Sequence, residues 1–570
     1  SASYVPDLPP LSDLQLDSLA TGPIRLGEPS TLALNLSAAL PDGLTAALEL
    51  RSQWLVAADG SLAELNGLEL EALVRGPQVP GGSQQIRAEG KLRYEGSSQS
   101  LSLPALTLRA GQLQAELAAQ LQLAEAGPQG SLSLKTNRFS AQGLAGSLGF
   151  PLGPEGHQGQ TELDLAFALA PDSLRSTRLQ GQLDGADFSG QLSLSNFSQP
   201  QIRTKLQLAQ FTLEHWTPPG AQEEQSSKDD TGSSDDPMQA PLPLDLVKDL
   251  NLDAEARIGT FRGAGVEARD VLWVATGRPG QPFVHELRMN AYGGQIRAKN
   301  TIDARGSKPK TGLSLNLDAV GLGDLLKGTM GESWVTGLTQ LALNLDTSGN
   351  TLQAMLGSAA GKAQYALKDG QVRGISILDV INAGAAQLQG GKAQAEEGGA
   401  ATSFQQLAGE LLFGGGRMDT RALTADSKLL ALTGTGGIDL QKLAWDLNLV
   451  PVLKDSPQIR EQKYLSKLVG IDIPLKVSGP LMSPKFVVDA EGALKARAKQ
   501  EIDRQKDKLE DKAREKLDEK IKDSKIEEKL KKEVGEELGS SLGNLLRGRL
   551  PSPTPKPVAS SPSPTPSPTP

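Results

Sequence analysis

The feature that most constrains this chain is a Leu-x-Leu alternation that keeps returning along its length. It runs through Leu32-Ala-Leu34-Asn-Leu36, Leu113-Gln-Ala-Glu-Leu117, Leu121-Gln-Leu123 and Leu163-Asp-Leu165-Ala-Phe167. Further on it recurs in Leu206-Gln-Leu208, Leu313-Ser-Leu315-Asn-Leu317, Leu341-Ala-Leu343-Asn-Leu345 and Trp445-Asp-Leu447-Asn-Leu449. Successive side chains of a strand point to opposite faces, so a period of two writes a sheet with one apolar and one polar face. Hundreds of residues of such sheet raise one physical question: what covers the apolar side.

A length of 570 residues suffices for several domains, yet 38% hydrophobic content is low for one large dry core. Gly (62) and Pro (36) supply turns for many short strands of five or six residues, and aromatics at 4% leave the apolar face to Leu, Val and Ala. A net charge of −9, with no basic concentration in the strand region, argues against a nucleic-acid surface. The absence of cysteine excludes a disulfide framework and Cys-ligated zinc, and fits a periplasmic setting. No run of 18 or more apolar residues occurs, so no segment reads as a transmembrane helix. The opening Ser1-Ala-Ser-Tyr4 carries no signal peptide, as expected of a fragment or of a processed form that has lost a targeting segment, with or without a membrane anchor.

Five regions follow from the pattern. Residues 1–216 are strand-rich, with turns such as Pro41-Asp-Gly43 and Pro80-Gly-Gly82. Residues 217–241 carry Glu223-Glu224, Asp229-Asp230 and Asp235-Asp236 among Ser, Gly and Gln. They lack the spacing of a calcium loop and read as an acidic disordered loop. Residues 242–490 resume the strands. Short helical segments are expected at Gly321–Leu326, Thr351–Leu356 and Ile377–Leu388, and strands at Phe404–Leu412, Leu429–Leu432, Leu443–Leu449, Ile473–Val477 and Lys485–Val488. Residues 491–549 switch to a charged helix with 15 Lys/Arg and 12 Asp/Glu between Lys495 and Glu533, and a thin stripe through Ile502, Leu509 and Leu517. Pairs such as Glu510/Arg514 and Asp518/Lys522 have the favourable i,i+4 order. Residues 550–570 alternate Pro with Ser and Thr and form a disordered tail.

No catalytic set is legible. His157, His215 and His285 are far apart in sequence and without metal-ligand spacing, so each is expected to be an ordinary strand or loop residue. Gly390-Gly391-Lys392 lacks the remainder of a phosphate loop, with Ala393 where Ser or Thr is required. Gly434-Thr-Gly436-Gly437 sits inside a strand pattern and reads as a bulge or turn. The expectation is a protein that is not an enzyme and carries no metal or cofactor.

From about 311 to 490 the sequence resembles the C-terminal region of the AsmA family of Gram-negative envelope proteins. The resemblance is carried by Leu313–Leu317 leading into Gly321-Leu-Gly323-Asp-Leu-Leu326, then Gly337–Asp346, the turn Ser348-Gly-Asn350 and Gly361–Ile377. It continues in Thr402-Ser-Phe404 and a closing hairpin, Ile473–Pro480 with Ser483-Pro-Lys-Phe486, while residues 1–310 match more loosely. It implies a mainly β fold: a long curled antiparallel sheet, or repeating β-groove, with a few short helices and the long charged helix beyond. It also implies lipid transport. Phospholipid acyl chains would be carried on the apolar face through the periplasm, from an inner membrane reached by a missing N-terminal helix toward the outer membrane. The expected groove lining is Leu313, Leu315, Leu317, Leu341, Leu343, Leu345, Leu443, Trp445, Leu447, Leu449, Ile473, Leu475 and Val477. The charged helix is expected to meet an outer-membrane or periplasmic partner through its apolar, cationic end at Leu538–Arg549. From alternation alone, a dry β-sandwich acting as a scaffold or chaperone for outer-membrane protein assembly is the competing reading, with a glycan-active β-solenoid enzyme more distant.

Overall fold

The computed structural model describes residues 12–523 and Lys532, except for residues 24, 40–43, 77–81, 148–152, 155, 218–237, 243, 389–400 and 482. It divides into two compact units: Ser1–Gly470 with Pro474–Val488, and Ile471–Ile473 with Asp489–Pro570.

The first unit begins with β1 (Ser12–Thr21), β2 (Ser30–Ala39), β3 (Thr45–Val56), β4 (Leu62–Arg75), β5 (Ser83–Glu95), β6 (Ser100–Ala110) and β7 (Leu113–Ala124). It continues with β8 (Gly127–Thr136), β9 (Phe139–Ser140), α1 (Ala141–Ser147), β10 (Gln160–Ala170), β11 (Ser173–Leu183), β12 (Ala186–Ser195) and β13 (Gln201–Thr212). After residues 217–250 come β14 (Asn251–Gly263), β15 (Val266–Gly277), β16 (Phe283–Ala291), β17 (Gly294–Asp303) and β18 (Lys310–Gly321). Next are α2 (Leu322–Met330), β19 (Val335–Ser348), α3 (Leu352–Ser358), β20 (Ala360–Arg373) and α4 (Ile377–Leu388). The unit ends with β21 (Ala401–Gly414), β22 (Arg417–Asp426), β23 (Leu430–Asp439), β24 (Ala444–Leu453), α5 (Pro457–Arg460), β25 (Leu475–Pro480) and β26 (Lys485–Val488).

Each long strand pairs with its neighbours in chain order, giving one sheet of 26 strands that does not close into a barrel. The fold is mainly β, 63% strand, with six α-helices among the described residues. β10 takes over directly from β8, while the two-residue β9 pairs only with the start of β10. All pairings are antiparallel except β13–β14, which is parallel. A parallel neighbour demands a crossover, and residues 213–250 supply it. Of the acidic loop assigned there, residues 218–237 lie outside the described set. The strand-rich regions on either side of that loop therefore belong to one continuous sheet.

Apart from β9, β25 and β26, with 2, 6 and 4 residues, the strands exceed the expected five or six: β16 has 9, and β4, β19, β20 and β21 have 14 each. Breaks in the Leu-x-Leu pattern that look like strand ends are β-bulges. In β18 the register slips between Leu317 and Val320, where Ala319 takes φ 54°. The extra residue shifts the parity of the sequence, so Leu317 and Val320 stay on one face although three positions apart. The same device operates at Gly67 (φ 58°), Asp270 (φ 52°) and Ala422 (φ 52°).

The expected helical segments form as α2, α3 and α4, and α3 is capped by Thr351, whose Oγ1 accepts from the Ala354 amide at 3.1 Å. Gly434, Gly436 and Gly437 lie inside β23, and the bulge belongs to the neighbouring β22. A Cβ at Gly436 would come within 2.2 Å of the Asp446 carbonyl oxygen, so glycine permits close strand approach. Gly390–Lys392 lies outside the described residues.

In the second unit, α6 (Ala490–Asp523) is the charged helix, with Ile502 and Leu509 66% and 68% exposed. Its expected continuation to 549, except Lys532, and the tail 550–570 lie outside the described residues.

Candidate functional site: the apolar face of the sheet

The strand register places one side-chain row after another on the same face. Leu19, Leu34, Leu50, Leu70, Ala88, Leu108 and Ala115 stand directly opposite one another from β1 to β7. Two residues along, Leu106, Leu117, Leu134, Leu165 and Leu179 continue across β6, β7, β8, β10 and β11. At β12 the row passes over Gly190, where an added Cβ would touch Leu206 at 2.8 Å and Leu179 at 3.2 Å. From Leu206 the row runs through Ala256, Trp273, Leu287, Ala298, Leu315, Leu343, Ala363 and Leu411 to β21. It ends with Thr420, Gly436, Leu447 and Val477 on β22 to β25. At about 4.8 Å per strand this face extends roughly 120 Å along the hydrogen-bonding direction. Soluble monomers rarely expose contiguous apolar patches beyond about 300–600 Å².

Cover is unequal along this face. Among the described residues before 250, the buried hydrophobic side chains are Ala88, Ala110, Ala115 and Phe139, and every leucine there is half-buried or exposed. In the middle, local plugs sit on the face. Leu325 of α2 packs with Leu317, Val320 and Ile296, while Val247 and Leu250 from the crossover pack with Ala254, Ala275 and Phe283. At the C-terminal end the face is closed, with Leu449, Leu453, Leu465, Leu468 and Leu475 all buried.

The expected lining residues divide along the same line. Leu313/Leu345, Leu315/Leu343 and Leu317/Leu341 form three cross-strand pairs on one face, half-buried except for the buried Leu317. Trp445 and Leu447 lie on that face and are half-buried, and the Trp445 indole N–H donates to the Leu481 carbonyl at 3.0 Å. Leu443 is in the turn before β24, with φ 49° and 45% exposure. Leu449, Leu475 and Val477 are 7%, 2% and 4% exposed and belong to packed core rather than open surface, and Ile473, in the second unit, is 0% exposed.

The sequence pattern missed polar groups on the apolar face, among them His285 and Asn300. His285 stands between Ala275 and Asn300, and burial holds its imidazole below the usual histidine range. Asn300 Oδ1 is buried with no hydrogen-bond partner in the protein. The opposite face is charged and solvated, as in Arg178–Asp164 at 2.8 Å and Lys299–Glu286 at 3.0 Å. Open depressions of about 700 and 800 Å³ have mixed linings: Lys299, Asp303 and Asn344 together with Leu313 and Leu345 in the first, and Arg175, Arg203 and Asp253 together with Leu192 in the second.

Nor do the histidines all stand apart. His157 and His215, 58 positions apart in sequence, meet on either side of Asp184. Only the tertiary pairing of β10 to β13 creates that cluster, which is the set among the described residues suited to a metal ion.

These features define an open-edged single-sheet β protein with one apolar face that is largely uncovered over its N-terminal half. The chain belongs to the AsmA family, whose family model matches residues 15–423, and the family is one of envelope-associated proteins. The match reaches well into the region where the resemblance is looser and stops before the hairpin at 473–486. Comparison with curated proteins finds no match. Among the described residues no helix is long and apolar enough to cross a membrane.

Proposed function

We propose that this protein is a non-enzymatic periplasmic conduit for phospholipids between the inner and outer membranes, holding acyl chains on the apolar face of its sheet. The observation that carries the reading is the mainly apolar row of side chains that the strand register continues from β1 to β25, along which no leucine among the described residues before 250 is buried. Moving a sixteen-carbon chain from a bilayer into water costs on the order of 12 kcal/mol, at about 0.8 kcal/mol per CH₂. A continuous apolar face offsets that cost without directional bonds, so an acyl chain passes from strand to strand with little change in free energy. Headgroups remain in water beyond the strand ends, which favours weak headgroup selectivity. Attachment to the inner membrane by a segment preceding Ser1 is part of the same proposal and rests on the family resemblance.

Native mass spectrometry of gently purified protein tests the reading: phospholipid is expected to co-purify and to reload from vesicles after delipidation. A chain that carries no lipid and takes none from vesicles overturns it. The closed C-terminal core supports the scaffold reading for that end alone. A dry sandwich is hard to reconcile with the half-buried leucines of β2 to β13.

A further inference from the structure

A second site lies off the lipid path. His157 sits in the loop leading into β10, Asp184 opens the two-residue turn between β11 and β12, and His215 lies in the 3-10 turn Leu213–Trp216 after β13. His157 Nε2 is 2.8 Å from Asp184 Oδ1, and His215 Nδ1 meets Asp184 Oδ2. The two imidazole rings lie against each other, centroids 3.7 Å apart and planes tilted by 33°. Their side chains and that of Asp184 are 25%, 26% and 21% exposed, so the group is sheltered yet reachable from solvent.

The surroundings are shaped around it. Gln142 of α1, 5% exposed, donates to the His215 carbonyl, and its own Oε1 is buried without a hydrogen-bond partner in the protein. Gly153, at φ +69°, passes so close that a Cβ would fall 2.4 Å from the His215 carbonyl oxygen, and its amide donates to the Thr217 carbonyl at 2.8 Å. A Cβ at Gly159 would strike the Gln142 side chain at 2.7 Å.

We propose that His157, Asp184 and His215 bind a divalent transition-metal cation, with Zn²⁺ the best match. Two imidazole nitrogens and a carboxylate oxygen are the ligand set of a borderline cation, and three protein ligands leave a fourth position for water. The ligand atoms lie within 4.8 Å of one another. Tetrahedral bonds of about 2.0–2.1 Å place ligand atoms about 3.4 Å apart, so small side-chain rotations open the 2.8 Å contact far enough. On binding, each imidazole ligates as the neutral tautomer, with the lone pair of the ligating nitrogen on the cation and the ring proton on the other nitrogen.

The position explains the use. A chain without cysteine has no disulfide to pin its sheet. This cation would tie the start of β10, the β11–β12 turn and the end of β13, at the point where the chain leaves for the parallel crossover to β14. The proposal is a structural staple and is independent of lipid binding.

The test is calorimetric titration of Zn²⁺ into the full chain after chelator treatment, with the visible absorption of bound Co²⁺ as a signature of tetrahedral ligation. One cation per chain is expected, and Zn²⁺ should raise the melting temperature. His157→Ala, His215→Ala and Asp184→Asn should each weaken binding by more than about tenfold and abolish the Co²⁺ signature. His157→Gln keeps a polar side chain in place should the alanine variant fold poorly. His285→Ala, altering the remaining histidine, should retain the cation. Absence of saturable binding overturns the proposal and leaves a hydrogen-bonded clamp. Binding that survives all of the site variants overturns it equally, since it then belongs to scattered carboxylates.

Discussion

Leu343→Asp and Leu475→Asp put the same charge on the same face at positions with opposite surroundings. Leu343 is half-buried between Leu315 and Ala363. Losing half of a leucine's burial costs about 1 kcal/mol, and in the delipidated protein the new carboxylate still reaches water. Leu475 is 2% exposed within the closed end. There, losing the side chain costs about 2–5 kcal/mol, and an unpaired buried charge adds several more. Melting of the delipidated variants should therefore fall by no more than about 2–4 °C for Leu343→Asp and several times further for Leu475→Asp. Lipid load should show the reverse sensitivity for its cause: Leu343→Asp stays folded but loses bound phospholipid by native mass spectrometry. Equal destabilisation by the two variants would refute the reasoning, because Leu343 would then lie in a packed interior.

Photo-crosslinking residues at Leu134 and Leu165 should capture acyl chains while Lys135 and Asp164, on the opposite face of the same strands, should not; equal capture would sink the face assignment. His285 has its folded pKa depressed by burial, so its contribution to stability is present above the unfolded value near 6.5 and is lost as pH falls through the folded value. Wild type should accordingly lose more stability than His285→Phe between pH 7.5 and 5 (about the histidine range), measured by denaturant melts; parallel losses would rule this out. Gly436→Val would force a Cβ to within 2.2 Å of the Asp446 carbonyl at φ 108°, and should destabilise the β23–β24 pairing by about 3 kcal/mol. Hydrogen exchange confined to that hairpin reports it, and unchanged protection would show that the backbone accommodates the side chain.

Alternation specified a mainly β chain and much of one face, while the long single sheet came from the family resemblance. The pairs Leu313/Leu345, Leu315/Leu343 and Leu317/Leu341 follow from period two within two neighbouring strands. The boundaries of α4 and the presence of α2 and α3 also follow from local pattern, because apolar spacing and the Thr351 cap are local facts. The bulges are not legible, since one residue in left-handed backbone, such as Ala319 or Ala422, has no compositional mark and yet reverses the parity that a period-two reading relies on. Burial is not legible either: Leu343 and Leu475 occupy equivalent positions in their strand patterns, and only packing around the C-terminal strands closes the second. The same holds for His157 and His215, which are ordinary isolated histidines until antiparallel pairing of β10 to β13 brings their segments to one end of the sheet around Asp184. Sequence fixes what lies within a few residues on a strand, because the pleat is periodic. What lies across strands depends on register and on which elements fold back over the face, and those are set by long-range contacts that no local pattern encodes.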